Sequence, residues 1–222
     1  MNSNPDIDCF RRTLADFEPE SNALPRCLAL YSAAITIADE ELLTVAIGLG
    51  RRHGVTRDQF YEIVLQSYLF LGFPRMLIAA THLYRVMPDG TRPVGHASAT
   101  GAEFRSWQSD GLALCRRIYG DAFEPLRVQV ESIAPEIFQW MVLEGYGKVL
   151  SRPGLDIVNR ELSIVAFLMV ENRSRQLFSH MRGALNVGAS EDLLRTVIED
   201  IGNSIGDGYR EAHTALERLE VG

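Results

Sequence analysis

The sequence predicts an all-α fold, and three observations carry that expectation. No segment of the 222 residues sustains the apolar–polar alternation of a strand. Apolar residues fall instead at spacings of three and four, as at Leu42, Leu43, Ala46, Ile47 and Leu49, between residues that start and stop helices. A single constant offset along the chain also lays one such run upon another. Gly54-Val55-Thr56 then falls on Gly188-Ala189-Ser190, Phe60 on Leu194, Ile63 on Val197 and Gly72 on Gly206, which reads as two tandem copies of one helical unit.

Taken in order, residues 1–22 are polar, with a short helix around 10–17. Pro25 suits the first turn of a helix over 24–38. Asp39 caps a second over 40–52, which Gly54 closes. Thr56-Arg57-Asp58 caps a third, carrying Phe60, Ile63, Val64, Ser67 and Tyr68. Gly72-Phe73-Pro74 ends it, and a fourth runs from 75 to about 86. Pro88 to Gly101 is the one Gly/Pro/Ser/Thr-rich stretch, so the chain divides into a first helical repeat (1–87), a linker (88–103) and a second repeat (104–222). Beyond it, helices are predicted over 103–119 and 125–133, broken at Gly120-Asp121, and over 136–150 after Pro135. Ser151-Arg152-Pro153-Gly154 is a turn, and Asp156 or Asn159 caps the next helix. Ser190 caps 191–201, and Gly206 to Gly208 precede a last helix over 209–219.

The chain is organised around Asn159 to Ser190, read as two antiparallel helices joined at Glu171-Asn172-Arg173. Residues 162–170 are apolar apart from Ser163, so the first of these helices is predicted to be buried all round. In the second, Leu177, Met181, Ala184 and Leu185 form an apolar stripe to which His180 belongs. At about 1.5 Å of rise per residue, Glu161 and His180 lie within roughly 4–5 Å of one level, within reach of two long side chains. Gln176 and Arg173, four and seven residues before His180, are predicted on its face, whereas Arg182 points elsewhere.

The spacing Glu161, His180, Gly188-Ala189-Ser190 resembles the carboxymuconolactone decarboxylase family, which shares its helical fold with the alkylhydroperoxidase D-type enzymes. Ser151-Arg152-Pro153-Gly154-Leu155-Asp156 and Arg160-Glu161-Leu162 are similar to the decarboxylase branch. The peroxidase branch carries Cys-x-x-Cys where this chain has Arg173 and Gln176, so thiol peroxidase chemistry is excluded. The resemblance implies a tandem alkylhydroperoxidase D-like fold and cofactor-independent decarboxylation of a small carboxylate-bearing lactone. In that role His180 supplies the proton, Glu161 orients the imidazole, Arg173 holds a carboxylate and Gln176 donates to the developing oxyanion. Arg182 matches the branch's His-x-Arg-Gly-Ala run, as a substrate contact or an intersubunit salt bridge. A homo-oligomer, dimer or trimer, is implied as well. The first copy has Ala46, Leu42, Asp39 and Cys27 at the positions of His180, Gln176, Arg173 and Glu161, so the site falls to the second. Two other readings stand beside this one: a non-catalytic helical oligomer of the family, and a related isomerase or hydrolase acting on another small anionic metabolite.

A net charge of −7 and a pI near 5.3 argue against nucleic acid and anionic lipid as partners. A helix-turn-helix reading of Thr56 to Ser67 fails for lack of a basic face. Cys9, Cys27 and Cys115 have no metal or redox spacing, and no metal site or cofactor is predicted. With no apolar signal core and no run near the roughly 20 residues that span a membrane, a cytoplasmic protein is expected. His53, His82 and His96 read as solvated residues at helix ends or in the linker. Tyr68, Trp140 and Tyr146 read as packing residues.

Overall fold

The computed structural model describes residues 6–88, 100–202 and 205–220, and among them every regular element is a helix and no strand occurs. Most of the linker, with His96, and Ser204 lie outside the described residues. The chain divides into two units, one made of residues 1–88 and 154–222 and the other of residues 89–153. The first division falls at the boundary read from sequence. The second, after Pro153, splits the stretch 104–222 between the two units.

In the larger unit the helices are α1 (Ile7–Ala15), α2 (Ala23–Ile37), α3 (Glu40–Arg52), α4 (Arg57–Val86), α8 (Ile157–Val170), α9 (Ser174–Val187), α10 (Glu191–Ile201) and α11 (Asp207–Glu220). Those of the smaller unit are α5 (Gly101–Tyr119), α6 (Phe123–Ile133) and α7 (Pro135–Trp140). The caps read from sequence are in place. Asp39, Thr56, Asp156 and Ser190 each accept from a backbone N–H three residues on, satisfying an otherwise orphan donor, and Thr56 with Gln59 closes a capping box. The short first helix runs earlier than predicted, from Ile7, because Asp6 caps it.

The helix starts repeat with the offset seen in the sequence. The separation of Ala23 from Ile157 is also that of Glu40 from Ser174 and of Arg57 from Glu191. The left-handed backbone positions Ala38 and Asn172, Gly54 and Gly188, and Gly72 and Gly206 keep it too. Glycine suits such φ values because it has no Cβ to clash. At Gly72 (φ 75, ψ 169) the break divides α4. Where the sequence predicts no membrane-length run, α4 is long and apolar enough to cross a membrane by length and composition. Gly72 cuts it into two segments, each shorter than the roughly 20 residues a span requires.

α2 and α8 pack against each other at the centre of this unit, and both are buried along most of their length. From Asn159 to Met169 every residue of α8 is buried, as its apolar composition predicts. Two arginines at matching positions of the two stretches tie the packing together. Arg26 of α2 holds Asp200 of α10 through two bonds of 2.6 and 2.8 Å. Arg160 of α8, fully buried, reaches α4, bonding Glu62 at 2.9 Å and Gln66 at 3.2 Å, and its Nε donates to the Leu155 carbonyl at 3.1 Å. Gln66 and Asp200 also occupy matching positions, so the two contacts are reciprocal. A buried guanidinium is tolerable only with such partners.

In the smaller unit α5 crosses the segment Met141–Leu150, which winds as a π-helix where the sequence predicts a continuation of the α-helix. A Cβ on Gly147 would stand 1.9 Å from the Trp107 carbonyl oxygen, and one on Gly111 2.1 Å from that of Val142, so the crossing depends on both glycines. Tyr146 packs as predicted and donates to the Tyr119 hydroxyl at 2.8 Å. Trp140, predicted to pack, is 63% exposed because it closes α7 on the face away from the buried Phe138.

Candidate functional site

Glu161 enters the site from the second turn of α8 and His180 from the middle of α9. The turn between the helices, with Asn172 at φ 53, folds α9 back along α8. The two side chains meet, as the helical rise predicts: His180 Nδ1 lies 2.9 Å from Glu161 Oε2. Glu161 is fully buried and the His180 side chain is 7% exposed. A carboxylate can only accept, so Nδ1 carries the proton of this bond and Nε2 is the basic nitrogen of the neutral ring. The other carboxylate oxygen, Oε1, is buried with no hydrogen-bond partner among the described residues. Leaving such an acceptor unmatched costs about 1–3 kcal/mol.

A third contributor comes from the first half of the chain. The ring of Phe70 in α4 meets the imidazole edge-to-face, with centroids 5.6 Å apart at 84°. The same ring stacks on Phe167 of α8 at 5.9 Å and 23°. Phe70 opens the run Phe70-Leu71-Gly72-Phe73-Pro74, and two residues later Gly72 breaks the helix. Sequence reasoning assigns no site residue to the first half. The one signal pointing there is the run itself, which sets an aromatic side chain just before a Gly-x-Pro helix break.

The remaining predicted site residues stand apart from the pair. Arg173 is 62% exposed and pairs with Glu171 at 3.3 Å. It is the residue before the first turn of α9, with φ −105 and ψ 68, so helical arithmetic does not carry it onto the face of His180. Gln176 is exposed too, because side chains in a first turn lean toward the helix start, here into solvent. Arg182 is exposed and lies over the Phe178 ring at 5.0 Å, directed away from His180 as predicted. Glu171 also pairs with Arg75 of α4. A groove of about 430 Å³ between α9 and α11 is lined by Arg175, Phe178, Glu211 and Arg218 among others, and not by Glu161 or His180.

Two other groups differ from what the sequence predicts. His82 is not solvated but 3% exposed, and burial, together with the Arg85 charge, lowers its pKa from the ordinary 6.5. Its Nδ1 accepts from Arg85 at 2.8 Å and its Nε2 donates to Thr44 Oγ1 at 2.9 Å, which fixes a neutral ring. Cys27, at the position matching Glu161, is buried among apolar side chains that push its thiol up to about 12. It is neutral at any physiological pH and cannot stand in for the carboxylate. Among the described residues no group of His, Cys, Asp and Glu could hold a metal ion.

No family model matches the chain, and no curated protein matches it.

Proposed function

We propose that the chain is a two-copy member of the carboxymuconolactone decarboxylase family and a cofactor-independent acid–base catalyst of decarboxylation on a small carboxylate-bearing lactone. The observation that carries this reading is the buried 2.9 Å bond from His180 Nδ1 to Glu161. The recurrence of helix starts and left-handed positions at one constant offset supports the tandem arrangement. Exposed Phe73, Leu77, Ile78 and Tyr84 on α4 support assembly as a homo-oligomer.

Loss of carbon dioxide sends an electron pair into the lactone carbonyl and leaves a dienolate, which must then be protonated on carbon. His180, protonated on both nitrogens, gives its Nε2 proton to that carbon while Glu161 holds Nδ1 and balances the imidazolium charge. The neutral ring with Nδ1–H remains, and solvent restores the proton. Arg173, at the exposed start of the same helix, meets the substrate's carboxylate from the solvent side.

The test is turnover of 4-carboxymuconolactone in D2O by the wild type and His180→Gln. One deuterium on the product's protonated carbon is expected, formed at least about 100-fold more slowly by the variant. Equal rates in the two proteins would end the assignment.

The surface position of Arg173, Gln176 and Arg182 favours a second reading, a non-catalytic oligomer of the same fold in which Glu161–His180 is a buried structural pair. Under it, folded wild-type protein turns over no lactone, and His180→Gln lowers stability alone.

A further inference from the structure

We infer that Phe70 is a positioning residue for His180: the first half of the chain, which has no Glu–His pair of its own, supplies the aromatic wall that fixes the imidazole of the second half. The inference rests on the reading of Glu161–His180 as an acid–base pair only for its catalytic consequence. Its structural content stands on contacts alone.

A hydrogen bond at Nδ1 does not by itself fix an imidazole about its Cβ–Cγ bond, because that sp³–sp² rotation has broad wells. The bond to Glu161 Oε2 holds one point of the ring. An aromatic ring packed against the imidazole adds a constraint of a different kind, and Phe70 makes that contact. Its centroid is 5.6 Å from that of the imidazole with the planes at 84°, within the preferred edge-to-face range for aromatic pairs. Phe70 also stacks on Phe167, further along α8 than Glu161. The contacts run from Glu161 to His180, from His180 to Phe70 and from Phe70 to Phe167, so that α8 provides Glu161 and Phe167, α9 provides His180 and α4 provides Phe70.

The backbone of α4 shows how that contact is achieved. Gln66 anchors the helix one turn before Phe70 by donating to the Arg160 carbonyl at 3.3 Å. Two residues after Phe70 the chain turns at Gly72, whose φ of 75 excludes a side chain without strain. Beyond the turn, Arg75 pairs with Glu171 at the end of α8. Phe70 is thus held by ties to α8 on both sides, at Arg160 and at Glu171. The sequence carries Ser204 at the position matching Phe70, so the second half has no equivalent ring to offer in return.

Nitrogen-15 NMR of the His180 ring tests this without any substrate. At alkaline pH, where an imidazole ring is neutral, the wild-type Nδ1 and Nε2 shifts are expected well separated, as for a single Nδ1–H tautomer. Phe70→Leu removes the ring while keeping an apolar side chain, and the two shifts should move toward each other as tautomers mix. Phe70→Tyr, which keeps the ring, should restore the wild-type pattern. Where the lactone is turned over, Phe70→Leu should lower kcat about tenfold with KM changed less than about twofold, as expected for misorientation of a proton donor. Wild-type nitrogen shifts in folded Phe70→Leu would overturn the inference. Altered shifts in a protein that turns over no lactone would uphold the positioning role and overturn only the proposed activity.

Discussion

The two helical stretches of the larger unit, Ala23 to Val86 and Ile157 to Glu220, begin their helices at matching positions and yet differ at the centre. One has Cys27 and Ala46 where the other has Glu161 and His180. Cys27 and Ala46 are fully buried apolar groups that fill space, whereas the second stretch places a hydrogen-bonded carboxylate and imidazole in the same kind of interior. Burial is common to both frames, and residue type alone decides whether the interior holds apolar packing or a hydrogen-bonded polar pair. Labour is divided between them as well. The stretch without the pair contributes Phe70 to the imidazole and Glu62 and Gln66 to Arg160, while the other contributes Asp200 to Arg26.

The contrast is tested most severely at the pair itself. Glu161→Gln retains volume and a hydrogen-bond acceptor but not the charge that balances an imidazolium, and kcat should fall about 100-fold in a steady-state assay. Cys27→Ser, the matching site in the other stretch, should leave kcat within about twofold, since a thiol pushed up to about 12 keeps its proton at physiological pH and acts as neither acid nor base. A comparable loss from Cys27→Ser would mean that both stretches carry chemistry.

The reciprocal arginines offer the next contrast. Arg160→Ala leaves Glu62 buried without its cation and should destabilise by about 3–5 kcal/mol in urea unfolding. Arg26→Ala acts on a pair whose side chains keep some exposure, and about 1–3 kcal/mol is expected. Equal losses would show that the two contacts are equivalent in energy as well as in position.

Much of this frame is legible in the residues. Capping side chains and closing glycines act over three or four residues, so Asp39, Thr56, Asp156 and Ser190 can be placed from local pattern alone. The Glu161–His180 contact follows from helical rise once the turn at Asn172 is recognised. What escapes depends on distant packing. Arg160 sits in the first turn of α8, where a charged residue ordinarily reaches water, and only the approach of α4 buries it. Phe70 touches His180, far along the chain, through that same approach. Arg173 leaves the face predicted for it because one residue of difference in a helix start removes it from the helical register. The unit of residues 89–153 shows in the sequence at its start, in the Gly/Pro/Ser/Thr-rich stretch, but its end carries only a Pro-Gly turn that reads as an ordinary break between helices.

Smaller effects follow at the breaks and at His82. Gly72→Ala forces a Cβ into the left-handed region and should cost about 1–2 kcal/mol, read as a shift of the urea midpoint. For His82, a folded pKa below the ordinary 6.5 means the unfolded chain binds the proton more readily. Stability is therefore retained above the unfolded pKa and declines as pH falls below about 6.5 toward the lower folded value. His82→Asn should flatten that part of the urea-midpoint profile. An unchanged slope in the variant would place the titrating group elsewhere.

The deciding measurement is the ultraviolet assay of 4-carboxymuconolactone turnover by purified, folded wild-type protein beside His180→Ala. Turnover by the wild type that is lost in the variant is the predicted result, and it places the chemistry in the second stretch. Turnover that persists in His180→Ala within about twofold of the wild type would contradict the role given to this histidine.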